Sequence, residues 1–87
     1  MITVHIERPL WELPAGDKQA WVQWLTGIEV HPVDVVCPSV LEVAGCTVTY
    51  VHMERTHEGA QLGPVRRTRV CAGLVDRPPA GFRMEED

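Results

Sequence analysis

Residues 40–55 read as a strand, a tight turn and a second strand. Val40-Leu41-Glu42-Val43 is followed by Ala44-Gly45, and residues 46–55 continue with β-branched and aromatic side chains. A two-residue turn carrying glycine between two such runs predicts a hairpin. With Ala44-Gly45 as the turn, Val43 pairs with Cys46, Leu41 with Val48 and Glu42 with Thr47. One face then carries Leu41, Val43, Cys46, Val48 and Tyr50, and the other Glu42, Thr47 and Thr49. A one-residue slip would invert that division, so the pattern supports the register. Past Tyr50 the alternation reverses, with Val51 and Met53 on the threonine face and His52 and Glu54 on the core face. Either a bulge near Tyr50 shifts the phase or the sheet carries apolar groups on both faces.

The rest of the chain supplies what such a hairpin needs. Ile2, Val4 and Ile6 alternate with Thr3, His5 and Glu7, the period of a half-buried strand. Residues 10–14 form an irregular connection between prolines. A helix is predicted to start near residues 15–17, with Asp17 as a cap or as a charge complementing the helix dipole. Its apolar stripe is Ala20, Trp21, Trp24 and Leu25. Gly27 is expected to end it in the left-handed conformation, with Ile28 folding back. Residues 29–36 read in two ways: a short helical turn begun by Pro32 with Val33 and Val36 inward, or an edge segment. Residues 56–63 are loop. Residues 65–71 form the next strand, with Val65, Arg67, Arg69 and Cys71 on one face and Arg66, Thr68 and Val70 on the other. The expected architecture is a single α+β domain over residues 1–76, one helix packed on an antiparallel sheet in the order β-α-β-β-β. Residues 77–87 are expected to be a Pro-rich and acidic tail, frayed at Glu85-Glu86-Asp87.

Size and charge narrow the function classes. A chain of 87 residues buries roughly 60–65% of its unfolded surface, which leaves little margin and makes self-association useful. No apolar run approaches ~18 residues, so no membrane span is predicted. The N-terminus lacks the basic flank and cleavage site of a signal peptide. An odd set of three cysteines, Cys37, Cys46 and Cys71, then points to reduced thiols in the cytoplasm. The net charge of −4 argues against nucleic acid, whose affinity comes mainly from neutralised phosphates.

No catalytic or metal constellation emerges. Zinc sites use closely spaced ligand pairs, whereas the cysteines here are far apart and only His52 and His57 have an acceptable spacing. No Gly-rich elbow or orienting third group accompanies Cys37, Ser39 or Cys71, and residues 59–63 lack the lysine and following helix of a phosphate loop. No cofactor, metal or catalytic residue is therefore assigned, and the protein is expected not to be an enzyme. Trp21 and Trp24 read as core, while Trp11 either caps the core edge or faces a partner. Arg55, Arg66, Arg67 and Arg69 lie on neighbouring strands near Glu54, either as cross-strand ion pairs or as a patch for an acidic surface. The candidate partner-binding residues are Thr47, Thr49, Val51, Met53, Arg66, Arg67 and Arg69, the arginines giving orientation and a salt-dependent on-rate.

The stretch Trp24-Leu25-Thr26-Gly27-Ile28, followed by His31-Pro32, residues 41–49 and the Pro78-Pro79 ending, resembles small proteins of unknown function found in actinobacterial phages and prophages. One lysine against seven arginines and no asparagine agree with a GC-rich genome. The resemblance implies a phage-encoded protein and carries no activity with it. The expected function is non-catalytic: an accessory factor in the cytoplasm that binds and modulates a host protein. The alternatives are a self-associating structural or assembly subunit, such as a homodimer, and a small zinc-binding or enzymatic domain.

Overall fold

The computed structural model describes all of residues 1–87. Its elements are β1 (Ile2–Ile6), α1 (Ala15–Gly27), β2 (Ser39–Ala44), β3 (Thr47–Arg55), β4 (Gln61–Val70) and β5 (Arg83–Glu86), with 3-10 turns at Leu10–Glu12 and Pro32–Asp34. The strands form one sheet in the order β4-β3-β2-β1-β5, antiparallel throughout. The α+β class holds, and so does the expected strand–helix–strand–strand–strand order, to which β5 is added.

The core lies between α1 and one sheet face. Val4 and Ile6 of β1, Leu41 and Val43 of β2, and Val48 and Tyr50 of β3 are buried with Trp21 and Leu25 of α1. Period-2 alternation in the strands and a helical stripe in α1 thus meet, as their patterns require. Trp21 is fully buried, and Trp24 packs on the same cluster from its rim.

The C-terminal stretch is not a frayed tail. Residues 76–82 run alongside α1 as a strap: Trp24 Nε1 donates to the Asp76 carbonyl at 3.1 Å and Trp21 Nε1 to the Ala80 carbonyl at 2.9 Å. Phe82 meets the Trp21 ring edge-on at 5.3 Å between centroids, and Pro78 is buried. Gly81 takes a φ of +124°, and a Cβ there would stand 3.3 Å from the Leu13 side chain, so the strap closes only with glycine at this point. The chain then pairs with β1, placing Met84 opposite Val4. Arg83-Met84-Glu85-Glu86 holds a single apolar residue and carries no strand pattern of its own. Main-chain pairing and the tryptophan anchors upstream order it.

Three local expectations are corrected. The hairpin turns at Gly45-Cys46 rather than Ala44-Gly45, pairing Val43 with Val48, Glu42 with Thr49 and Ala44 with Thr47. Gly45 has a φ of +61° and Cys46 is not left-handed, the arrangement of a two-residue loop with glycine first. The expected turn would have required a positive φ at Ala44. Each partner moves by two residues, so the faces of Leu41, Val43, Val48 and Tyr50 are preserved, while Cys46 leaves the strand for the turn.

The helix runs through Gly27, and the left-handed residue is Glu29, with a φ of 62°. Val30 N–H donates to the Leu25 carbonyl at 2.9 Å and Glu29 N–H to the Thr26 carbonyl at 3.0 Å, the bond pattern of a Schellman cap. Its apolar contact is Leu25 with Val30, both buried, so burial of Val30 places the reversal at residue 29. The N-cap, Pro14, offers no side-chain bond, and Asp17 sits in the first turn, where its charge suits the dipole.

Residues 29–36 combine both readings. Pro32 begins the 3-10 turn, and Val36 then donates to the Val51 carbonyl at 3.1 Å while Val35 lies across from His52. Val33, expected inward, is exposed.

Two stability measurements check this packing. Trp21→Ala is expected to cost about 3–5 kcal/mol, because a fully buried ring is removed from the helix–sheet–strap junction. Trp24→Ala should cost less, about 1–2 kcal/mol, since it removes a partly exposed side chain. Equal losses in chemical denaturation would contradict the assignment of Trp21 as the central ring. At the cap, Glu29→Gly should raise stability by roughly 0.5–1 kcal/mol by relieving the left-handed strain, while Glu29→Ala should lower it. The absence of a gain from glycine would show that the cap is not strained.

Candidate functional site

The β3–β4 register runs without interruption from Thr47 opposite Val70 to Glu54 opposite Gly63, and its one irregularity falls between Glu54 and Arg55. No bulge occurs near Tyr50. Val51 and Met53 therefore emerge beside Thr47 and Thr49, on the sheet face away from α1, with Val51 directly opposite Arg66. The alternation reverses for another reason. His52 and Glu54 lie on the helix side of the sheet but beyond the buried cluster, and His52 lies beside the 3-10 turn at Pro32–Asp34. There Asp34 takes the Arg55 guanidinium at 3.1 Å and lies 3.8 Å from His52 Nε2.

The seven candidate residues are thus divided. Thr47, Thr49, Val51, Met53 and Arg66 share the open face, whereas the register puts Arg67 and Arg69 on the helix side. Thr49 and Thr68 bond across the strands through their hydroxyls at 3.0 Å, and Val40, beside His5, adds a half-exposed apolar group. Arg66 reaches the carboxylate of Glu42 at 2.8 Å. On the other side Arg67 pairs with Glu54 and Arg69 with Glu29. Each arginine of the cluster is neutralised by an acid of the same chain, so the surface is a lattice of cross-strand pairs rather than a basic patch.

The open face is bounded by β4, an edge strand. Cys71 N–H donates to the Cys46 carbonyl at 2.7 Å, and the bond pattern alternates along an antiparallel ladder. Residues 65, 67 and 69 then point their backbone groups at β3, and residues 64, 66, 68 and 70 point theirs outward. Pro64 falls at an outward position, where its missing N–H removes no ladder bond.

The cysteines are all free and half-buried. Burial, and secondarily the charge of Glu12, push the Cys37 thiol above its ordinary value, which opposes thiolate formation there. No group of three or more His, Cys, Asp or Glu side chains is close enough to hold a metal ion. No helix is long and apolar enough to cross a membrane.

A second surface lies on the helix layer. Trp11 is 69% and Val33 67% exposed, with Val22 of α1 also exposed. Together with Leu10, Lys18 and Pro32 they line a shallow cleft of about 190 Å³. Of the two readings of Trp11 from sequence, capping the core edge or facing a partner, the exposure of the ring sets aside the first. The signal for this surface was an aromatic residue between prolines, outside any apolar stripe. Val33 and Val22 join it only through the fold. The chain matches no protein-family model, no curated protein and no solved structure.

The raised Cys37 thiol gives a pH test. In the unfolded chain the thiol ionises near its ordinary value of 9.0, and in the folded chain only above that. Stability from the neutral thiol is fully present below about pH 9 and declines as pH rises through the folded value. Cys37→Ala is expected to flatten this alkaline decline in denaturant titrations at stepped pH. An unchanged slope would remove Cys37 from the alkaline limb.

Proposed function

We propose that this is a non-catalytic protein-binding protein whose contact surface is the open sheet face around Thr47, Thr49, Val51 and Met53, with Arg66 at its side. The observation that carries the reading is that Val51 and Met53 are presented side by side on a face that no other part of the chain covers. Their partial exposure offers apolar area for a partner, and the flanking threonines supply hydroxyls for its polar groups. In this reading the protein is an accessory factor that binds and modulates another protein in the cytoplasm. The sequence resemblance supports a phage-encoded origin and a host protein as target. Arg67 and Arg69, on the far side of β4, are assigned to ion pairs that solubilise the sheet edge.

Self-association is the second reading. It is favoured by β4, an edge strand of ten residues with backbone groups free along its outer side.

The test is the double change Val51→Glu with Met53→Glu. Both side chains lie on the open face, so the variant is expected to remain folded and to lose the captured protein in a pull-down analysed by mass spectrometry. The pairing of Arg66 with Glu42 leaves no net charge at the contact, so capture should change little between low and physiological salt. This replaces the salt sensitivity expected from an unpaired arginine cluster. A folded variant that retains its partner would exclude this face, and a dimer in light scattering that the change leaves intact would favour the second reading.

A further inference from the structure

Folding brings Cys46 and Cys71, far apart in sequence, directly across from each other. Thr47 pairs with Val70 at the end of the β3–β4 ladder, and one step further the Cys71 N–H donates to the Cys46 carbonyl at 2.7 Å. Standard bond lengths on either side of that hydrogen bond hold the two Cα atoms within about 6.5 Å, inside the range of roughly 4.4–6.8 Å that disulfides span. By parity both residues fall on the helix side of the sheet, Cys46 in phase with the buried Val48 and Cys71 in phase with Arg69.

The pair is held on both flanks. The ladder precedes it, and beyond it the Val75 N–H donates to the Gly45 carbonyl at 3.0 Å, which keeps residues 71–75 against the turn. The reciprocal bond, from the Cys46 N–H to the Cys71 carbonyl, is not made, so drawing the sulfurs together breaks no second ladder bond. Both thiols are free and half-buried. Cys71 also lines two clefts of about 280 and 290 Å³, one beside Trp24 and Val75 and the other beside Glu29 and Ala72, through which a small reagent reaches it. Cys37 is set apart, bordering Ile6, Leu10 and Trp11, none of which borders Cys71.

The same geometry sets how durable a bond would be. Directly opposed Cβ atoms of a hydrogen-bonded pair stand about 5.5 Å apart, against roughly 3.8 Å in a relaxed disulfide. A bond made here is stretched, and stretched disulfides are the readily reduced, regulatory ones rather than permanent cross-links. Transient bonds of this kind are those that a reducing compartment permits.

We propose that Cys46 and Cys71 form a reversible redox site, closing to an intramolecular disulfide by exchange with a low-molecular-weight disulfide such as oxidised glutathione. The Cys71 thiolate attacks one sulfur of the reagent from the cleft, forming a mixed disulfide and releasing the first small thiol. The Cys46 thiolate then attacks the Cys71 sulfur and displaces the second. Two protein thiols are oxidised, one small disulfide is reduced to two thiols, and the protons lost by the cysteines pass to the leaving sulfurs. The bond staples the mouth of the β3–β4 hairpin, and it stands independently of the contact assigned to the open sheet face.

The test equilibrates the full-length protein with graded ratios of reduced and oxidised glutathione, followed by acid quenching, intact mass and peptide mapping. The expected product has lost two thiols, is linked from Cys46 to Cys71, and returns to the dithiol in reduced glutathione alone. Its equilibrium constant should be roughly tenfold or more higher in the native protein than in denaturant, because the fold holds the thiols at contact distance whereas the unfolded chain must close a long loop. Thermodynamic linkage then requires a higher denaturant midpoint for the oxidised form. Cys37→Ser should leave all of this unchanged, and Cys46→Ser should stop the reaction at a glutathione adduct on Cys71. Equal constants in the native and unfolded protein, a bond that includes Cys37, a dimer linked between chains, or a disulfide that reduced glutathione cannot open would each overturn the proposal.

Discussion

The Trp21 ring is where the three parts of this fold are joined. It is fully buried between α1 and the sheet, meets Trp24 and Phe82 edge-on, and gives its one polar atom to the Ala80 carbonyl. A short helix has little stability of its own and depends on tertiary packing. A four-residue terminal strand has still less. Burying one large aromatic fixes both, because the indole supplies apolar area to the core and a single N–H that must find an acceptor. The acceptor it finds belongs to the strap, which orders the last residues and converts β1 from an edge strand into an interior one.

Parity rather than register governs the sheet. Pairing in the hairpin differs by two residues from the simplest reading of Ala44-Gly45, yet the buried set is unchanged, because a two-residue step returns every side chain to its own face. The same parity carries Val51 and Met53 onto the open face without a bulge. The helix layer then changes over their neighbours: Tyr50 lies in the core cluster, whereas His52 lies beside Asp34 and Glu54 pairs with Arg67. Sequence alternation therefore reports not only which way a side chain points but also where the covering layer ends.

The arginines illustrate how charge can mislead when read along the chain. Three of them in residues 66–69 look like a basic patch, but strand alternation sends Arg66 to one face and Arg67 and Arg69 to the other. Each meets an acid from a distant part of the sequence: Glu42, Glu54 or Glu29. Exposed pairs of this kind contribute about 0–1 kcal/mol each. They also restrict any strand that pairs along the free edge of β4 to one whose charges match. Against that neutral background, the larger uncovered groups on both layers, Val51 and Met53 on the sheet and Trp11 and Val33 on the helix side, are apolar.

Period-2 and helical patterns in the sequence alone determined the α+β class, the first four strands, the extent of α1 and nearly the whole core, because these follow from short-range periodicity and from the burial it demands. They also placed Thr47, Thr49, Val51 and Met53 on one face once the strand was taken as unbroken. Only the tertiary structure decided the rest. The turn at Gly45-Cys46 is set by the positive φ that glycine alone adopts cheaply, and the cap at Glu29 by the burial of Val30 against Leu25. The fifth strand exists through its pairing with β1 and the tryptophan bonds to the strap, none of which leaves a local signal in Arg83-Met84-Glu85-Glu86. The Trp11 surface is assembled from three separate segments, residues 10–11, 18–22 and 32–33, and no pattern within any one of them foretells the others.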